Sequence, residues 1–519
     1  MLTSRASGPV ETGPSKLLSW PGFVVLAVLF GLSYAQFPLF YETQNQYFFR
    51  GLVQVGIGLL RDDWLAGSRD TWPVFTSLVT LTSRLDVRLF YVYFVLLLGV
   101  YAYAMLGIAS SVRLLDGSNA ASLTFLAVLA ALHSPLVGAL SSAAVGFNLG
   151  EQLTTGVALQ DILGSMLQPS TFGALLLLSI FYFLRERPYR AVVASSLAAT
   201  IHPTYILTAA VVTLSYVVLT VRRGGGALRA VRLGLWALVL TLPVLVYVYT
   251  AFHPTSPSLT AEARSILVHF RFPHHAFPDR WLGPIVAVKL GVTLLALYLM
   301  RRTELAVILL TLLGAAVGLT VLQVLTRSDG LALLFPWRLS VFLVPVSTAV
   351  LSAYVLSRVL GWLKTRGPVA VHAAVVGSVV ILIGLAVGGV VETRHRFAVQ
   401  RSGPRAALME FVRTTKTPGA VYLIPPYWDN FRLRTGAPVV SDWDFIPYND
   451  VAVIEWHARF RQAEAFYKAR GEARCQVLGN IRATYRVTHV VLWEPGTEAC
   501  GAWRELFRAA DHRLYAVAP

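Results

Sequence analysis

Charged residues are scarce in this sequence: they make up 14% of the 519 residues, against 55% that are hydrophobic. A soluble domain does not keep that ratio, so most of the chain is predicted to lie in lipid. Acids are scarcer than bases, which leaves a formal net charge of +17. In a membrane protein this excess is typical of cytoplasmic loops and of contact with anionic membrane lipids. A nucleic-acid partner is not predicted.

Familiar catalytic motifs are also missing. The sequence has no P-loop, no G-x-G-x-x-G after a predicted strand, no G-x-S-x-G and no H-E-x-x-H. Cysteine is limited to Cys475 and Cys500, and the lack of a C-x-x-C pair argues against a zinc ribbon or a thioredoxin-like site. Both cysteines fall in a region predicted to lie outside the cytoplasm, which favours a disulfide. Two free buried thiols are the alternative.

Long hydrophobic runs are what the sequence does have. They predict an α-helical polytopic membrane protein with about nine to eleven membrane helices, one of them a short broken pair. The predicted spans are 17–40, 89–111, 120–145, 170–184, 191–221, 233–252, 281–300, 305–325, 339–356 and 369–391.

The broken pair is the run 191–221, which His202-Pro203 interrupts. A single span would put the arginines that follow it outside, against the positive-inside rule, whereas two short helices hinged at the proline return them to the cytoplasm. Irregular backbone within a membrane is tolerated where it lines a cavity. His202 at this break and Gln168 at a predicted helix entry are therefore predicted to be cavity-lining. A satisfied core histidine is the alternative.

The same pattern predicts two domains. Residues 1–391 form the transmembrane domain, with a cytoplasmic N-terminus and a long first outer loop, 41–88. Residues 392–519 alternate predicted helices and strands, which indicates a small C-terminal extracytoplasmic α/β domain. The predicted helices are 406–414 and 450–468, and the predicted strands are 420–424, 437–440, 487–493 and 513–517. The predicted location is the cell inner (plasma) membrane, with multiple passes.

Acids in the first outer loop are the candidate catalytic residues. Asp62 and Asp63 are adjacent, and Glu42 lies where the first membrane helix is predicted to end. Carboxylates in such a loop can act as a base toward an acceptor hydroxyl or bind a divalent cation such as Mg²⁺ or Mn²⁺. An N-cap, or ion pairs with Arg61 and Arg69, are the alternatives for the two aspartates.

Cationic side chains in two later outer loops are candidates for binding a phosphate or lipid headgroup. They are Arg271, His274 and His275 in one loop and Arg338 in another. Guanidinium and imidazole groups suit a phosphate or pyrophosphate. Packing at the membrane interface is the alternative for all of them, and metal ligation is a further alternative for the histidines.

Taken together, these features resemble the GT-C superfamily of membrane glycosyltransferases, which includes oligosaccharyltransferases, protein mannosyltransferases and aminoarabinose transferases. The shared features are a first membrane helix, a long outer loop with Glu42 and Asp62-Asp63, about ten further helices and a C-terminal outer α/β domain. The sequence is also similar to bacterial multi-pass proteins of unknown function with HP, PHH and PWR elements.

The resemblance implies a transferase that moves a sugar from a polyprenyl-phosphate carrier to a glycan, lipid or protein acceptor at the outer membrane face. One of the first-loop acids would be catalytic, and Arg271, His274, His275 and Arg338 would hold the phosphate. The alternative function is a non-catalytic membrane protein, such as a lipid or glycan carrier or an assembly scaffold. A secondary transporter ranks third, because the predicted spans contain few ionisable groups.

Overall fold

The structure is a computed structural model that describes residues 15–493, 500–501, 503–510 and 512–517. The N-terminal segment is predicted to be cytoplasmic, and its residues 1–14 lie outside the described part of the chain. The described chain consists mainly of helices, packed into a bundle that carries a small mixed α/β domain after residue 401.

The bundle begins with an apolar helix and alternates long helices with short ones in the loops. Its helices are α1 (Trp20–Ser33), α2 (Gln44–Val55), α3 (Pro73–Leu85), α4 (Leu89–Ser111), α5 (Asn119–His133), α6 (Pro135–Val145), α7 (Leu149–Thr154), α8 (Ala174–Leu184), α9 (Pro188–Ile201), α10 (Ile206–Arg222), α11 (Gly226–Ala251), α12 (Pro257–Ser265), α13 (Pro273–Ala276), α14 (Pro278–Trp281), α15 (Pro284–Met300), α16 (Glu304–Thr326), α17 (Asp329–Ala332), α18 (Ser340–Thr365) and α19 (Pro368–Arg401).

Six helical stretches within the described residues are long and apolar enough to cross a membrane. They are α4, α11, α16, α19 and the stretches Pro203–Arg222 and Asp329–Thr365, which contain α10 and α18. The pair α5–α6 adds a seventh crossing if it counts as one span, and α1, α15 and Pro169–Leu184 are shorter apolar helices. The chain is an integral membrane protein of several spans, as the sequence predicts. The last helix, α19, continues to Arg401, past the predicted domain boundary at residue 391.

Two prolines interrupt the bundle, and only one of the two interruptions was predicted. Helix α9 ends before His202-Pro203, and α10 begins after a short 3-10 turn, as expected. The predicted span 120–145, however, is bent by 61° between α5 and α6. Pro135 cannot donate a backbone hydrogen bond that would continue α5, and Ser134 Oγ accepts one from the Leu136 N–H at 3.2 Å, which caps the new helix.

Small residues let the central helices approach closely. A Cβ atom on Gly107 of α4 would lie 2.5 Å from Phe181 Cδ2 of α8. A Cβ atom on Gly99 of the same helix would lie 2.5 Å from Ala27 Cβ of α1. Because membrane helices associate through packing rather than through exclusion of water, these contacts fix α1, α4 and α8 side by side.

The C-terminal domain is a four-stranded sheet with helices on both faces. The strands lie in the order β1-β2-β4-β3, and the β1–β2 pair is parallel while the other pairs are antiparallel. Its elements are α20 (Pro404–Thr415), β1 (Tyr422–Leu423), α21 (Phe431–Thr435), α22 (Asp450–Lys468), α23 (Gly471–Tyr485), β2 (His489–Leu492), β3 (Arg504–Ala509) and β4 (His512–Ala516). One apolar core lies under α20 and α21, and a second lies under α22 and α23.

The predicted α/β domain is present with two differences. The expected strand 437–440 contributes only an isolated bridge between Val439 and Tyr422, and neither α23 nor β3 was predicted. A disulfide joins Cys475 in α23 to Cys500 before β3, as expected from the sequence.

Two loops of the bundle form hydrogen bonds with the C-terminal domain. In the first loop, the Leu59 N–H donates to the Gly436 carbonyl at 2.7 Å. In the loop after α11, the Thr255 N–H donates to Asp450 Oδ2 at 2.8 Å. The end of the bundle on which the domain sits is called the domain end below, and the other is the opposite end.

Candidate functional site

A polar cavity of about 330 Å³ lies at the domain end, between the end of α1, the α5–α6 bend, α7 and the loop 155–168. Three carboxylates line it, those of Glu42, Glu151 and Asp161, together with the Arg396 guanidinium from α19. Polar uncharged side chains complete much of the wall. They include Thr43, Ser134, Asn148, Thr154, Thr155, Ser165 and Gln168. Such a lining suits a hydroxyl-rich or anionic ligand and not a hydrocarbon chain.

Local sequence signals build one wall of this cavity. The bend at Ser134-Pro135 turns α6 away, and both residues line the space. Asn148 caps α7, because its Oδ1 accepts the Glu151 N–H at 3.1 Å, which fixes Glu151 in the first turn of that helix. At the end of α7, Lys289 Nζ donates to the Gly156 carbonyl at 2.7 Å.

Glu42 is held in an unusual backbone conformation. Its φ is +45°, in the left-handed region that residues with a Cβ rarely occupy. The Glu42 N–H donates to Asp429 Oδ2 of the C-terminal domain at 2.7 Å, which holds this conformation in place. Burial raises the pKa of the Glu42 carboxyl, the hydroxyl of Tyr41 lowers it, and the negative charge of Asp429 raises it further. Backbone strain of this kind clusters at functional sites.

Asp161 is the second carboxylate with a perturbed pKa. Burial raises its pKa to about 6, the positive charge of Arg338 lowers it, and the nearby charge of Glu151 raises it. Two consecutive residues before Gln160, Ala158 and Leu159, have φ of +55°. This tight turn brings the Asp161 side chain to the cavity wall.

Behind Asp161, two predicted phosphate-binding residues, Arg338 and His275, belong to a partly buried network. Arg338 Nε donates to Gln160 Oε1 at 2.8 Å, and Arg338 Nη1 lies 3.4 Å from His202 Nε2. Gln160 Nε2 lies 2.9 Å from His275 Nδ1, which is 2.7 Å from the Ala158 carbonyl. Burial lowers the pKa of His275 to about 3, so this imidazole is neutral at physiological pH. The positive charge of the network therefore belongs to Arg338.

Of the other predicted residues, Gln168 lines the cavity, and its Oε1 accepts a hydrogen bond from Thr43 Oγ1 at 2.9 Å. His202 is buried against Arg338 and is not part of the cavity wall. Arg271 points toward the C-terminal domain, where its Nη2 lies 3.5 Å from Asp444 Oδ1 and its Nε donates to the Trp443 carbonyl at 3.2 Å.

His274 does not reach the cavity either. It is half-buried beside His275, with the two ring centroids 4.1 Å apart. Burial, and after it the charge of Arg271, lowers the pKa of His274. Neither histidine of the pair therefore brings a positive charge to a bound phosphate at neutral pH.

Asp62 and Asp63 do not line the cavity. Asp62 is exposed in a 3-10 turn. Asp63 is fully buried: its Oδ2 lies 3.0 Å from Arg432 Nε and accepts the Val439 N–H at 3.1 Å, while Oδ1 accepts the Leu65 N–H at 3.0 Å. These contacts occupy the Asp63 carboxylate, so the pair does not fit the expected Mg²⁺ or Mn²⁺ site. No group of three or more His, Cys, Asp or Glu among the described residues is placed to hold a metal ion.

Sequence reasoning did not single out Asp161, Glu151 or Arg396. The two acids lie in a predicted outer loop. Because acids are scarce in this chain, their presence in that loop could have marked them as candidate site residues. Arg396 and Asp429 had no comparable signal, because their roles depend on how α19 and the C-terminal domain return to the first loop.

Comparison with known proteins gives one family match and a general structural likeness. Residues 405–463 match the family model described as Domain of unknown function (DUF6798). This segment contains Asp429, Arg432 and Asp442. No curated protein sequence matches the chain.

Two solved structures of ArnT from Cupriavidus metallidurans are similar over almost the whole chain. The structure bound to undecaprenyl phosphate has a TM-score of 0.49 and 14% identity, and it covers 96% of this chain and 97% of its own. The apo structure has a TM-score of 0.47 and 14% identity, with 96% and 98% covered. Both likenesses concern the overall fold. At this level the likeness carries nothing about the roles of individual residues.

Proposed function

We propose that this protein is a membrane glycosyltransferase that moves a sugar from a polyprenyl-phosphate carrier to an acceptor in the cavity at the domain end. The observation that carries the proposal is the joint placement of Glu42, Asp161 and Arg396 in one polar cavity of a membrane-spanning bundle. A polar cavity that combines carboxylates of raised pKa with a guanidinium group is suited to acid–base chemistry on a phosphate-linked substrate.

Glu42 is the residue we assign as general base. Its carboxylate accepts the proton of an acceptor hydroxyl, and the acceptor oxygen forms a bond to the anomeric carbon of the sugar. The bond between that carbon and the phosphate oxygen breaks, and polyprenyl phosphate leaves with the electron pair. A raised pKa makes Glu42 a stronger base than an exposed glutamate, which suits this step at neutral pH.

Two arginines are assigned to the leaving phosphate. Arg396 lines the cavity, and its orientation is fixed because its Nε donates to Glu392 Oε1 at 2.7 Å and its guanidinium lies 4.0 Å from the Phe37 ring centroid. Arg338 acts from behind Asp161 and is oriented by Gln160. A preorganised guanidinium stabilises charge that develops on phosphate oxygens better than a mobile one.

We also propose that the domain end faces away from the cytoplasm. Basic residues collect at the opposite end, as the positive-inside rule requires for a cytoplasmic face. They are Arg113, Arg185, Arg187, Arg190, Arg222, Arg223, Arg229, Arg301, Arg302, Arg358 and Arg366. The disulfide in the C-terminal domain fits an oxidising compartment. In a bacterial cell the membrane would be the inner membrane.

The test is turnover by the full chain in liposomes supplied with a panel of radiolabelled polyprenyl-phosphate sugars. The expected result is protein-dependent release of polyprenyl phosphate from at least one donor, with Glu42→Gln inactive and the exposed control Glu262→Gln active. Donor binding without turnover would overturn the transferase proposal in favour of a carrier. The same assay with EDTA tests a role for Mg²⁺ or Mn²⁺.

A further inference from the structure

The opposite end of the bundle has a second, chemically different cavity. It is an apolar groove of about 770 Å³ between α8, α9 and α11. We propose that this groove binds an anionic glycerophospholipid of the surrounding bilayer, with an acyl chain in the groove and the headgroup phosphate on Arg190. The proposal does not depend on the transferase function, because the groove shares no wall residue with the carboxylate-lined cavity.

The groove is polar at its rim and apolar inside. Tyr189 and Arg190 lie in the first turn of α9, and Val193 and Leu197 follow on the same face. A helix rises about 1.5 Å per residue, so Leu197 lies roughly 10 Å deeper than Arg190. On α8 the order is the same, with Tyr182 near the helix end. This gradient matches an amphiphile that has a charged head and an apolar tail.

The mouth of the groove faces the lipid. Val193 is 52% exposed, Leu197 47% and Trp236 53%, although all three are apolar and lie on helices of the bundle. Water does not fill an apolar space of this kind, so in a bilayer an acyl chain occupies it. Aromatic residues at the rim are typical of the headgroup level of a membrane protein.

The charge at the rim selects an anionic headgroup. Arg190 is exposed, and within the part of the chain that the structure describes it has no ion-pair or hydrogen-bond partner. Arg185 and Arg187 lie in the same turn between α8 and α9, with Glu186 as the one acid. A zwitterionic headgroup brings its own cation, whereas an anionic one leaves the arginine as its counterion.

The test is native mass spectrometry of the full chain released from nanodiscs that contain phosphatidylcholine with phosphatidylglycerol. We expect phosphatidylglycerol to be retained in preference to phosphatidylcholine and Arg190→Gln to weaken its retention about fivefold, while Arg302→Gln, an exposed arginine at the same end, has no effect. Leu197→Trp, which fills the groove, should abolish retention, and Leu214→Trp on the lipid-facing side of α10 should not.

Three outcomes would overturn the proposal. One is equal loss of phosphatidylglycerol in Arg190→Gln and Arg302→Gln, which would mean that the net charge of this face attracts the lipid without a site. Another is displacement of phosphatidylglycerol by a stoichiometric amount of polyprenyl phosphate, which would make the groove a carrier site. Retention by Leu197→Trp would likewise exclude the groove as the place where the chain lies.

Discussion

Asp63 of the first loop and Arg432 of the C-terminal domain form a fully buried ion pair, in which Oδ2 and Nε are 3.0 Å apart. Arg432 Nη1 also lies 3.1 Å from Asp442 Oδ2, and its guanidinium packs 4.3 Å from the Phe445 ring centroid. The Arg432 guanidinium thus lies between the Asp63 carboxylate of the bundle and the Asp442 carboxylate of the C-terminal domain. The loop that carries Glu42 is attached to the domain at this point.

Removal of the Asp63 carboxylate should weaken the attachment of the first loop to the C-terminal domain. Asp63→Ala leaves Arg432 buried with one of its two partners missing, and loss of one partner of a buried pair costs about 3–5 kcal/mol. We expect faster proteolysis of the first loop and hydrogen exchange in residues 50–70 that rises toward the rate of an open loop. Limited proteolysis with mass spectrometry measures both.

The neighbouring aspartate provides the matched control. Asp62 is exposed and should change stability by less than about 0.5 kcal/mol when replaced by alanine. Loss of transfer in Asp62→Ala, with the first loop still protected in Asp63→Ala, would support a catalytic role of Asp62 and contradict the structural role of Asp63.

The sequence predicts three acids of the first loop for the site, and the structure places only Glu42 of the three in the cavity wall. Adjacent Asp62 and Asp63 look alike in a linear chain, and the partner that buries one of them, Arg432, lies in another domain. Glu42 and Gln168 were predicted for the site and do line the cavity. Asp161 was not, because its position depends on a turn at Ala158 and Leu159 that has no glycine to signal it.

If Glu42 is the general base, its substitution should lower kcat and leave KM nearly unchanged. Glu42→Gln keeps the size and the polar character of the side chain but cannot accept a proton, so kcat should fall by about 10²–10⁴. The KM for the lipid donor should change little, because Glu42 does not contact the phosphate in the proposed mechanism. Steady-state kinetics in liposomes measures the two separately, and a change in KM alone would remove Glu42 from the chemical step.

The C-terminal domain should tune that base through Asp429. The negative charge of Asp429 raises the pKa of Glu42, so Asp429→Asn should lower it. The amide oxygen of asparagine can still accept the Glu42 N–H. Because the base acts deprotonated, the acidic limb of the pH–rate profile should move to lower pH.

A second interface aspartate separates this effect from general loosening of the domain. Asp450 also holds a bundle loop, through the Thr255 N–H and the Thr260 hydroxyl, but it makes no contact with Glu42. Asp450→Asn should leave the pH profile in place. A shift of the acidic limb to higher pH in Asp429→Asn would contradict the assignment.

Arg338 and Arg271 were predicted to do the same work, and the structure separates them. Arg338→Gln removes the positive charge that the proposed mechanism places behind Asp161, so the KM for the lipid donor should rise. Since the charge of Arg338 lowers the pKa of Asp161, that pKa should rise above its present value of about 6. Arg271→Gln breaks contacts with Asp444 and Trp443 and should weaken the domain interface without this effect on KM.

The proline breaks show where fold prediction succeeds and where it fails. The run 191–221 is too long for one span, so its length revealed the break at His202-Pro203. The run 120–145 has the length of a single tilted span, so Pro135 is the only sign of a bend. That sign is ambiguous, because α11 and α18 each continue through an internal proline. That bend opens the cavity, so the decisive feature of the site lay in a segment whose hydropathy was unremarkable for a membrane helix.

The disulfide between Cys475 and Cys500 should contribute to the stability of the C-terminal domain. It ties α23 to the segment before β3, and closing such a loop restricts the unfolded chain by about 2–4 kcal/mol. Cys475→Ser should therefore raise hydrogen exchange in β2 and β4, and dithiothreitol should do the same to the unaltered protein. The double variant Cys475→Ser/Cys500→Ser should not respond to the reductant at all. If reduction leaves exchange in β2 and β4 unchanged, the two helices of that face hold the sheet without the disulfide.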